Sequence, residues 1–564
     1  MAERPSERLS TPWQIGTDVV RHEWTKAPVQ QKLPVSAFYS KKDRLTHEFF
    51  QNARLVIKKP GGSEDEADYK GQYRIWPGLL LLFVLVSGAT CLIIAGAMKT
   101  SEALAARAMQ YEQHVSGKRS IKDGKIDDSI LISDDGQVGN PKSYDTSVTC
   151  EMPDYQSKNG QIVAVSANGT EIAIQIKGVN WFGMETALAV PFGLWENAEN
   201  GTTAYEIAAF LARNNFNAVR LPISVENLLN NNPPQKGVIN LGSNRAINGT
   251  DFISTLQTII KSLAYRKIGV LISMHRLTNK QSGTTWFDTD LGVSEDDFLN
   301  AIDIVSSNLC GQDYWNVMGI DLKNEPEVAT WGTGDDDDFV IGCEKIAKVM
   351  HGKCPQWLGF VEGVVSVHSI TIEKEELDYY DWWGGGLQKA GRMQPEFTIA
   401  NKLVWAPHYY TTAVAPQRYF YGNGTTSDFS TYVELSEKDL HERVEGTMDD
   451  MFGYLVKEKQ YALVLGEFGG LYTKDAHPEQ TTKRTTDLTV QILMEQEYAG
   501  GFMWSLNPES KYDYNAADTK GRFTEGLLLD DWLSPNDAFL KAFTPMDTMS
   551  NLRKFPCFSI EKDE

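Results

Sequence analysis

Eight short apolar runs recur along the chain after residue 176, separated by segments of helical character. Each run is hydrophobic almost throughout, which is typical of strands buried on both faces. The runs lie at 177–183, 217–223, 268–275, 317–324, 358–364, 402–410, 462–470 and 501–506. Between them, segments such as 203–215 and 252–266 place apolar residues at helical spacing. This alternation predicts an α/β fold, a (β/α)8 TIM barrel. A doubly wound open sheet is the alternative, but it usually has fewer strands and a Gly-rich phosphate motif after the first one, which this sequence lacks.

A different pattern precedes the barrel. Residues 76–98 are uncharged and apolar on all faces, and at about 1.5 Å per residue they span the roughly 30 Å of a bilayer core. They lie too far from Met1 for an ordinary cleaved signal peptide, so we predict a signal anchor. We divide the chain into a mostly disordered cytosolic tail (1–75), a transmembrane helix (76–98), a helical start and stalk (99–150), a barrel domain (151–547) and a C-terminal tail (548–564).

Charge separates these parts. The formal net charge is -21, which argues against nucleic acid as a partner because nucleic-acid binders present basic surfaces. Residues 1–75 carry 13 Lys and Arg against 10 Asp and Glu, a net charge of about +3. The remainder of the chain therefore carries a net charge of about -24. The sequence leaves the oligomeric state open.

Glycosylation sequons and cysteines predict the topology. Four sequons, at Asn168, Asn200, Asn248 and Asn423, all follow the apolar segment. They favour a single-pass type II membrane protein whose C-terminal domain is luminal or extracellular, at the cell surface.

Five of the six cysteines also follow the apolar segment, where an oxidising compartment permits disulfides. A Cys150–Cys557 bridge would join the ends of the domain, and a Cys310–Cys354 bridge would join two segments that precede strands. The sequence alone does not fix this pairing. Cys and His show no zinc-like spacing, and the acidic run at 335–338 is interpreted as a helix start, so no metal is expected.

Polar and aromatic side chains collect where the predicted strands end. In a barrel these ends converge on one mouth, which holds the active site. The residues at these ends are Asn180, Trp181, Arg220, His275, Asn324, Glu325, Glu362, His408, Tyr410, Glu467 and Trp504. We interpret Glu362 as structural.

Glu325 and Glu467 are the pair of carboxylates that glycosidic cleavage needs, one protonated and one ionised. Asn324 would hold the substrate hydroxyl beside the reacting carbon, and Tyr410 and Arg220 would keep the nucleophile ionised. Tryptophans at these positions either offer faces for sugar rings or pack as supporting residues. The candidates are Trp504, Trp181, Trp286, Trp331, Trp382 and Trp383.

Seven motifs in order carry a resemblance to a known family. They lie at 178–186, 217–224, 319–332, 382–388, 403–410, 465–470 and 504–510. Over residues 154–531 the chain resembles glycoside hydrolase family 5. Within that family it resembles the endo-β-1,4-glucanases most. The resemblance implies a retaining mechanism on a (β/α)8 barrel, with Glu325 as acid/base and Glu467 as nucleophile. It places Arg220, His275, Asn324, His408, Tyr410 and Trp504 on the family's other active-site positions.

Three departures from the family pattern concern loops and subsites. Gly386 stands where the family usually has Asn, Ser273 stands where an Asp is common, and 511–526 is an insertion. We expect a membrane-anchored endo-β-1,4-glucanase that needs no cofactor and has a β-linked polysaccharide substrate, in polysaccharide catabolism or wall remodelling. The alternatives are another β-glycanase or transglycosidase, acting on mannan or β-1,3-glucan, and a surface protein that binds glycan without cutting it.

Overall fold

The computed structural model describes residues 76–118, 141–144, 150–196, 200–508, 524–532 and 534–559. The predicted cytosolic tail, most of the stalk and most of the insertion at 511–526 lie outside these ranges. The chain divides into two compact units, one that contains the long N-terminal helix and one that contains the barrel. Each unit is described by itself.

The first unit contains a 43-residue helix, α1 (Trp76–Lys118). Its first 24 residues, Trp76–Lys99, have a mean hydropathy of 2.6, and none of the residues in this apolar window is buried. At about 1.5 Å per residue this stretch exceeds the roughly 30 Å of a bilayer core. Length and composition therefore suit a membrane span, and the helix continues beyond it as the sequence predicts.

The second unit is a closed barrel of parallel strands, which confirms the predicted (β/α)8 fold. Every barrel-strand residue is buried, which explains the continuous apolar runs in the sequence. The strands are β4 (Ile176–Asn180), β5 (Ala218–Ser224), β6 (Gly269–Arg276), β7 (Val317–Asp321), β8 (Leu358–Val361), β11 (Leu403–Trp405), β12 (His408–Tyr410), β13 (Leu465–Gly469) and β14 (Gly500–Met503). The numbering also counts three strands that precede the barrel and a two-stranded hairpin that interrupts it.

Strands β11 and β12 together form one barrel strand, which Ala406 and Pro407 interrupt. β11 pairs with β8, and β12 pairs with β13. At the break, the Ala406 N–H donates to the Val361 carbonyl, and the Pro407 carbonyl accepts from the Gly466 N–H. Proline has no N–H to donate, yet the broken strand still closes the barrel on both sides.

Most of the helices described on the outside of the barrel begin at side-chain caps. Asp251 caps one helix, and Ser294 and Asp297 form a reciprocal capping box at another. Asp338 caps a third, which confirms that the acidic run at 335–338 is a helix start. The helices are α2 (Ala204–Arg213), α3 (Val225–Asn230), α4 (Phe252–Ala264), α5 (Glu295–Leu309), α6 (Phe339–Lys353), α7 (Glu437–Met448), α8 (Tyr454–Glu458), α9 (Thr481–Glu495) and α10 (Asp537–Ala542), with a π-helical turn at Asp449–Gly453 between α7 and α8.

A three-stranded antiparallel sheet and the C-terminal segment close the base of the barrel, where its strands begin. The sheet contains β1 (Asp154–Lys158), β2 (Gln161–Val165) and β3 (Glu171–Ile174). The Tyr155 N–H donates to the Gln356 carbonyl, just before β8, and the Phe555 N–H donates to the Lys267 carbonyl, just before β6. Residues 548–559, which we predicted as a separate tail, therefore pack against the base.

Two disulfides stabilise this domain, and both confirm pairings considered from the sequence. Cys150 is joined to Cys557 across 407 residues, and Cys310 to Cys354 across 44 residues. Among the described residues, Cys343 is a buried free thiol and Cys91 an exposed one on α1. The first disulfide lies at the base and ties the start of the domain to its end.

A hairpin after β8 has no counterpart in the predicted elements. It pairs β9 (Val367–Ile372) with β10 (Glu375–Tyr380), and its turn residues Glu373 and Lys374 have φ of 50° and 72°. Two-residue hairpin turns with positive φ normally use Asn or Gly. The Glu-Lys pair gives no such signal, so the sequence analysis missed the hairpin.

Candidate active site

Arg220 lies at the centre of the barrel mouth, and its side chain is completely buried. Its guanidinium contacts Glu467 at 2.6 Å, Asp321 at 2.8 Å and Glu362 at 3.1 Å. Burial alone would lower the pKa of Arg220, but these three carboxylates raise it. Arg220 therefore stays positively charged and holds the ends of four strands together.

Glu467 lies in the middle of β13, with only 3% of its surface exposed. One carboxylate oxygen accepts from Arg220 Nη1 at 2.6 Å and the other accepts from the Tyr410 hydroxyl at 2.5 Å. Burial, followed by the negative charge of Glu467, raises the pKa of Tyr410 well above its ordinary value, so Tyr410 keeps its proton and donates. These two donors fix the orientation of the Glu467 carboxylate.

Glu325 follows β7 and is more exposed, with 20% of its side-chain surface accessible. Its Oε1 lies 3.1 Å from His408 Nδ1. Burial is the largest influence on Glu325 and raises its pKa; the negative charge of Glu467 adds to this, and the hydrogen bond to His408 opposes it. A carboxyl of this kind can hold a proton where an ordinary glutamate has lost it.

The two carboxylates face each other across a short gap. Glu325, His408 and Glu467 each place an oxygen or nitrogen atom within 4.8 Å of the other two. Carboxyl groups about 5–5.5 Å apart are typical of retaining glycosidases, whereas inverting enzymes need roughly 6.5–9.5 Å to fit a water molecule. The arrangement can therefore combine proton donation from one carboxyl with direct attack by the other.

His408 connects several of these groups. Its Nε2 lies 3.0 Å from Glu362 and its Nδ1 lies 3.7 Å from Glu467, besides the contact with Glu325. Burial alone would lower the pKa of His408, but the carboxylates of Glu362, Glu467 and Glu325 raise it well above the ordinary value. A protonated His408 donates from Nδ1 to Glu325 and places its positive charge beside Glu362.

His275 differs, because burial and the positive charge of Arg220 lower its pKa well below the ordinary value. It is therefore neutral near pH 7. Its ring stacks on Trp504 at a centroid distance of 5.8 Å. The Ser273 hydroxyl, at the position where the family often has Asp, lies 3.5 Å from His275 Nδ1.

Asn180 and Asn324 complete the centre of the mouth. The carbonyl oxygen of each side chain accepts from Arg220, at 2.9 Å and 2.8 Å. The structure thus brings together the eight residues that the resemblance singled out: Arg220, His275, Asn324, Glu325, His408, Tyr410, Glu467 and Trp504.

Two other candidates do not reach this mouth, and their predicted contact with substrate is wrong. Trp181 is completely buried and donates its indole N–H to the Phe192 carbonyl. Trp286 is also completely buried, donates to Glu295 and packs against Phe287. A sugar cannot stack on a ring that the core already covers on both faces.

The other three tryptophans differ in exposure. Trp331 is buried and donates to the Met393 carbonyl, while Trp382 is buried against Tyr409 and Tyr410. Trp383 remains half-exposed. Of these three, Trp383 is the one with surface to offer a ligand.

Two charged residues that the sequence analysis did not select lie beneath the mouth. Asp321 belongs to β7 and contacts Arg220; burial, with the negative charge of Glu362, raises the pKa of Asp321 to about 7. Lys323 is also completely buried, and burial lowers its pKa to about 8. Both stand within or just after an apolar run, and an isolated polar residue there is a signal of an interior site.

Two carboxylate and histidine groups in the described residues have the spacing of metal ligands. They are Asp321, Glu362 and His408, and Glu325, His408 and Glu467. The Arg220 guanidinium, however, already contacts three of these carboxylates and supplies positive charge there. The negative charge of these potential metal ligands is therefore already balanced by Arg220.

Loop and surface candidates also have defined positions. Gly386 pairs with Val364, and a Cβ at Gly386 would lie 2.2 Å from the Val364 carbonyl oxygen and 2.5 Å from Asp381. The asparagine that the family usually has therefore does not fit this loop. Three of the sequon asparagines are exposed, namely Asn168, Asn248 and Asn423, and Asn200 is half-buried with its oxygen accepting from the Trp195 indole.

Comparisons with known proteins agree with this geometry. The family model of Cellulase (glycosyl hydrolase family 5) matches residues 165–510. An endoglucanase of Paenibacillus polymyxa is 27% identical over 386 residues, 68% of this chain and 84% of that protein. The major extracellular endoglucanase of Xanthomonas campestris is 30% identical over 363 residues, 64% of this chain and 65% of that protein.

Solved structures give the same result. An endocellulase from Pyrococcus horikoshii, in complex with cellotetraose, superposes with a TM-score of 0.58 and 29% identity, covering 72% of this chain and all of that one. The catalytic domain of the Xanthomonas campestris enzyme superposes with a TM-score of 0.54 and 28% identity, covering 71% of this chain and 99% of that one. The chain is a glycoside hydrolase and belongs to glycosyl hydrolase family 5, the cellulase family.

Proposed function

We propose that this protein is a membrane-anchored, retaining endo-β-1,4-glucanase. The observation that carries the proposal is the Glu325–Glu467 pair, whose reactive atoms lie within 4.8 Å in two different environments. The names of its relatives support the substrate class, since two are endoglucanases and one endocellulase was solved with cellotetraose.

In the first step Glu467 attacks the anomeric carbon of the substrate. The bond from that carbon to the leaving oxygen breaks as the bond to Glu467 forms, and the proton of Glu325 moves to the leaving oxygen. Arg220 and Tyr410 donate to Glu467 at 2.6 Å and 2.5 Å, which orients it for attack. The product of this step is a glycosyl-enzyme and a shortened chain.

In the second step water replaces the leaving group. Glu325, now ionised, accepts a proton from water as the oxygen attacks the anomeric carbon and the bond to Glu467 breaks. His408, 3.1 Å from Glu325, stabilises the negative charge that Glu325 carries in this step. The cycle ends with Glu325 protonated again and Glu467 free.

Three other side chains shape the mouth around the sugar. Because the Asn324 oxygen accepts from Arg220, its amide nitrogen is oriented as a donor to the hydroxyl beside the reacting carbon. His275 is neutral and presents a polar edge. Trp504 is buried, with 8% of its surface exposed, and its ring stacks on His275 and on Phe182, so it supports the wall of the mouth beside His275.

The anchor rests on α1 and the sequons. Trp76–Lys99 has the length and composition of a membrane span, and the four sequons all follow it. We assign 1–75 to the cytosol and the barrel domain to the luminal or extracellular side, at the cell surface. A tethered glucanase suits wall remodelling or local digestion of a polysaccharide.

The activity is tested with the full-length chain in detergent. Wild type, Glu325→Gln and Glu467→Gln are incubated with carboxymethylcellulose, mixed-linkage glucan, laminarin and mannan, and new reducing ends are counted. The matched control is Glu376→Gln, since Glu376 is exposed on the hairpin. We expect cleavage of β-1,4-linked glucan that both site variants lose and the control keeps. Cleavage of mannan or laminarin alone would contradict the substrate, and binding without cleavage would contradict the enzyme.

The topology is tested by expressing the chain in a eukaryotic cell and treating it with a peptide N-glycosidase. We expect a mass shift that shrinks when the exposed Asn168, Asn248 and Asn423 are replaced by Gln. A result in which no mass shift occurs, but a protease digests the barrel and not a tag at residue 1, would mean that the sequons are not glycosylated although the orientation is as proposed. A tag at residue 1 that is reached from outside intact cells would contradict the orientation.

A further inference from the structure

Glu362 directly follows β8 and lies among the residues that surround the catalytic carboxylates. Its side chain has no exposed surface, and it makes three polar contacts. Oε2 accepts from the backbone N–H of Glu325 at 2.8 Å, and Oε1 lies 3.1 Å from Arg220 Nη2 and 3.0 Å from His408 Nε2. These three contacts offset the cost of burying the Glu362 carboxylate. None of them belongs to the backbone hydrogen bonding of a helix or a sheet.

The contact with Glu325 bears on the backbone that carries the proton donor. Glu325 has a φ of 48°, in the left-handed region that residues with a side chain rarely adopt. Such a conformation persists when the surroundings hold it. The bond from the Glu325 N–H to Glu362 is a charge-assisted hydrogen bond at this very residue.

The contact with His408 reaches the same proton donor from its other end. His408 faces Glu362 with Nε2 and Glu325 with Nδ1, at 3.0 Å and 3.1 Å. The Glu362 carboxylate therefore orients the imidazole, and the imidazole orients the Glu325 carboxyl. Glu325 is thus held at its backbone and at its side chain by one residue that cannot itself touch substrate.

The nucleophile depends on Glu362 much less. Glu362 does not touch Glu467 and reaches it only indirectly, through Arg220 and through His408, whose Nδ1 lies closer to Glu325 (3.1 Å) than to Glu467 (3.7 Å). Arg220 is held independently by Asp321, Asn180 and Asn324 at 2.8–2.9 Å. Loss of the Glu362 contact leaves these bonds in place. The two catalytic carboxylates therefore differ in their dependence on Glu362.

We propose that Glu362 is a positioning residue for proton donation, which acts through the backbone of Glu325 and through His408 and not through the nucleophile. The proposal rests on the roles proposed above for Glu325 and Glu467. It replaces the structural interpretation of Glu362 from the sequence with a function in one step of the reaction.

The test compares two substrates that differ in their need for an acid. Cellotetraose has a poor leaving group that must be protonated, whereas 2,4-dinitrophenyl β-cellobioside has a leaving group that departs as an anion. Both are measured as kcat/KM, which reports formation of the glycosyl-enzyme alone. The full-length variants are Glu362→Gln and Glu362→Asp, with Glu325→Gln as the reference and Glu376→Gln as the surface control.

We expect Glu362→Gln to lower kcat/KM by roughly 100-fold on cellotetraose, because a displaced acid loses about that factor. On the dinitrophenyl substrate the loss should stay within about fivefold, since no acid is needed there. Glu362→Asp, whose carboxylate is shorter by one methylene, should show the same selectivity with a smaller loss. Equal losses on the two substrates, or no loss on either, would overturn the proposal.

The Glu325→Gln reference and the folding controls distinguish three outcomes: wrong catalytic roles, a wrong role for Glu362, and loss of folding. If Glu325→Gln itself lacks the selectivity between the two substrates, the proposed roles of the two carboxylates are wrong. Thermal melting shows whether each variant folds, and the Asp variant is measured where the Gln variant does not. If neither variant folds, Glu362 is a folding residue and the proposal is rejected.

Discussion

At the scale of single residues, one arginine organises the charges of the site. Arg220 is buried with Asp321, Glu362 and Glu467 around it, so its positive charge compensates carboxylates that burial would otherwise destabilise. The remaining polarity is divided between His275, which is neutral, and His408, which is charged. Two histidines in one mouth thus carry different charges because their neighbours differ in sign.

Replacing Tyr410 by Phe should weaken the first step. The hydroxyl donates to Glu467 at 2.5 Å, and a hydrogen bond to a charged group is worth about 1.5–3 kcal/mol, so kcat should fall roughly 10- to 150-fold. Tyr409→Phe is the matched control, because the Tyr409 hydroxyl bonds Thr447 on the outside of the barrel. Steady-state kinetics on cellotetraose checks this, and equal effects of the two substitutions would contradict it.

The pH dependence of kcat/KM should show the raised pKa of Glu325. Donation needs the protonated carboxyl, so activity is present below this pKa and is lost as the pH rises through it. Burial raises the pKa of Glu325 above the ordinary 4.5, so the basic limb should lie above that value. For 2,4-dinitrophenyl β-cellobioside, which needs no acid, the limb should disappear. An identical basic limb for both substrates would assign it to another group.

At the scale of elements, the sequence predicted strands better than it predicted side-chain directions. The eight barrel strands were predictable because each is buried throughout and reads as an apolar run. Trp181 and Trp286 were misplaced because both stand outside a strand, where alternation no longer tells which way a side chain points. The Glu362–Glu325 bond joins residues 37 apart, and only the closed barrel reveals it.

Substitution of Gly384, in the loop next to Glu362, should destabilise the protein by more than its positive φ alone explains. Gly384 has φ +76, and a Cβ there would lie 2.3 Å from Glu362 Oε2. Gly292 is the matched control, with φ +73 and no atom within 4 Å of the added Cβ. Gly292→Ala should cost about 1–2 kcal/mol of backbone strain. Gly384→Ala should cost roughly 1–3 kcal/mol more and lower kcat as well.

Chemical unfolding and cellotetraose kinetics of the two variants check this prediction. The control reports strain alone, and the difference between the variants reports contact with Glu362. Two variants with the same stability and the same activity would mean that the loop moves away from Glu362 at no cost.

At the scale of the whole molecule, residues far apart in sequence close the base of the barrel. β1 to β3 and residues 548–559 pack there around buried aromatic side chains, among them Tyr155, Trp315 and Phe555. Cys150 and Cys557 join the two segments covalently. The sequence showed that this pairing was possible. The packing of both segments on one surface is what brings the two cysteines together.

Removing the Cys150–Cys557 disulfide should destabilise the domain more than removing Cys310–Cys354. The loops span 407 and 44 residues, and in the chain-entropy model the longer loop gives about 2 kcal/mol more stabilisation. Paired Cys→Ser variants are compared by the urea midpoint of tryptophan fluorescence under oxidising conditions. The reverse order of the two midpoints would show that native packing at the base outweighs chain entropy.

The closed base also decides how the domain meets a mechanical load. The chain enters the domain beside Cys150, where the barrel strands begin, and the catalytic mouth lies where they end. Whatever holds the chain upstream of Cys150 therefore holds the domain at the end opposite its cleft. A pull on a long polymer bound in the cleft then runs along the barrel to its base, where the Cys150–Cys557 crosslink joins the two ends of the domain. Because this crosslink shares the load between both ends, it opposes the separation of β1 from the base.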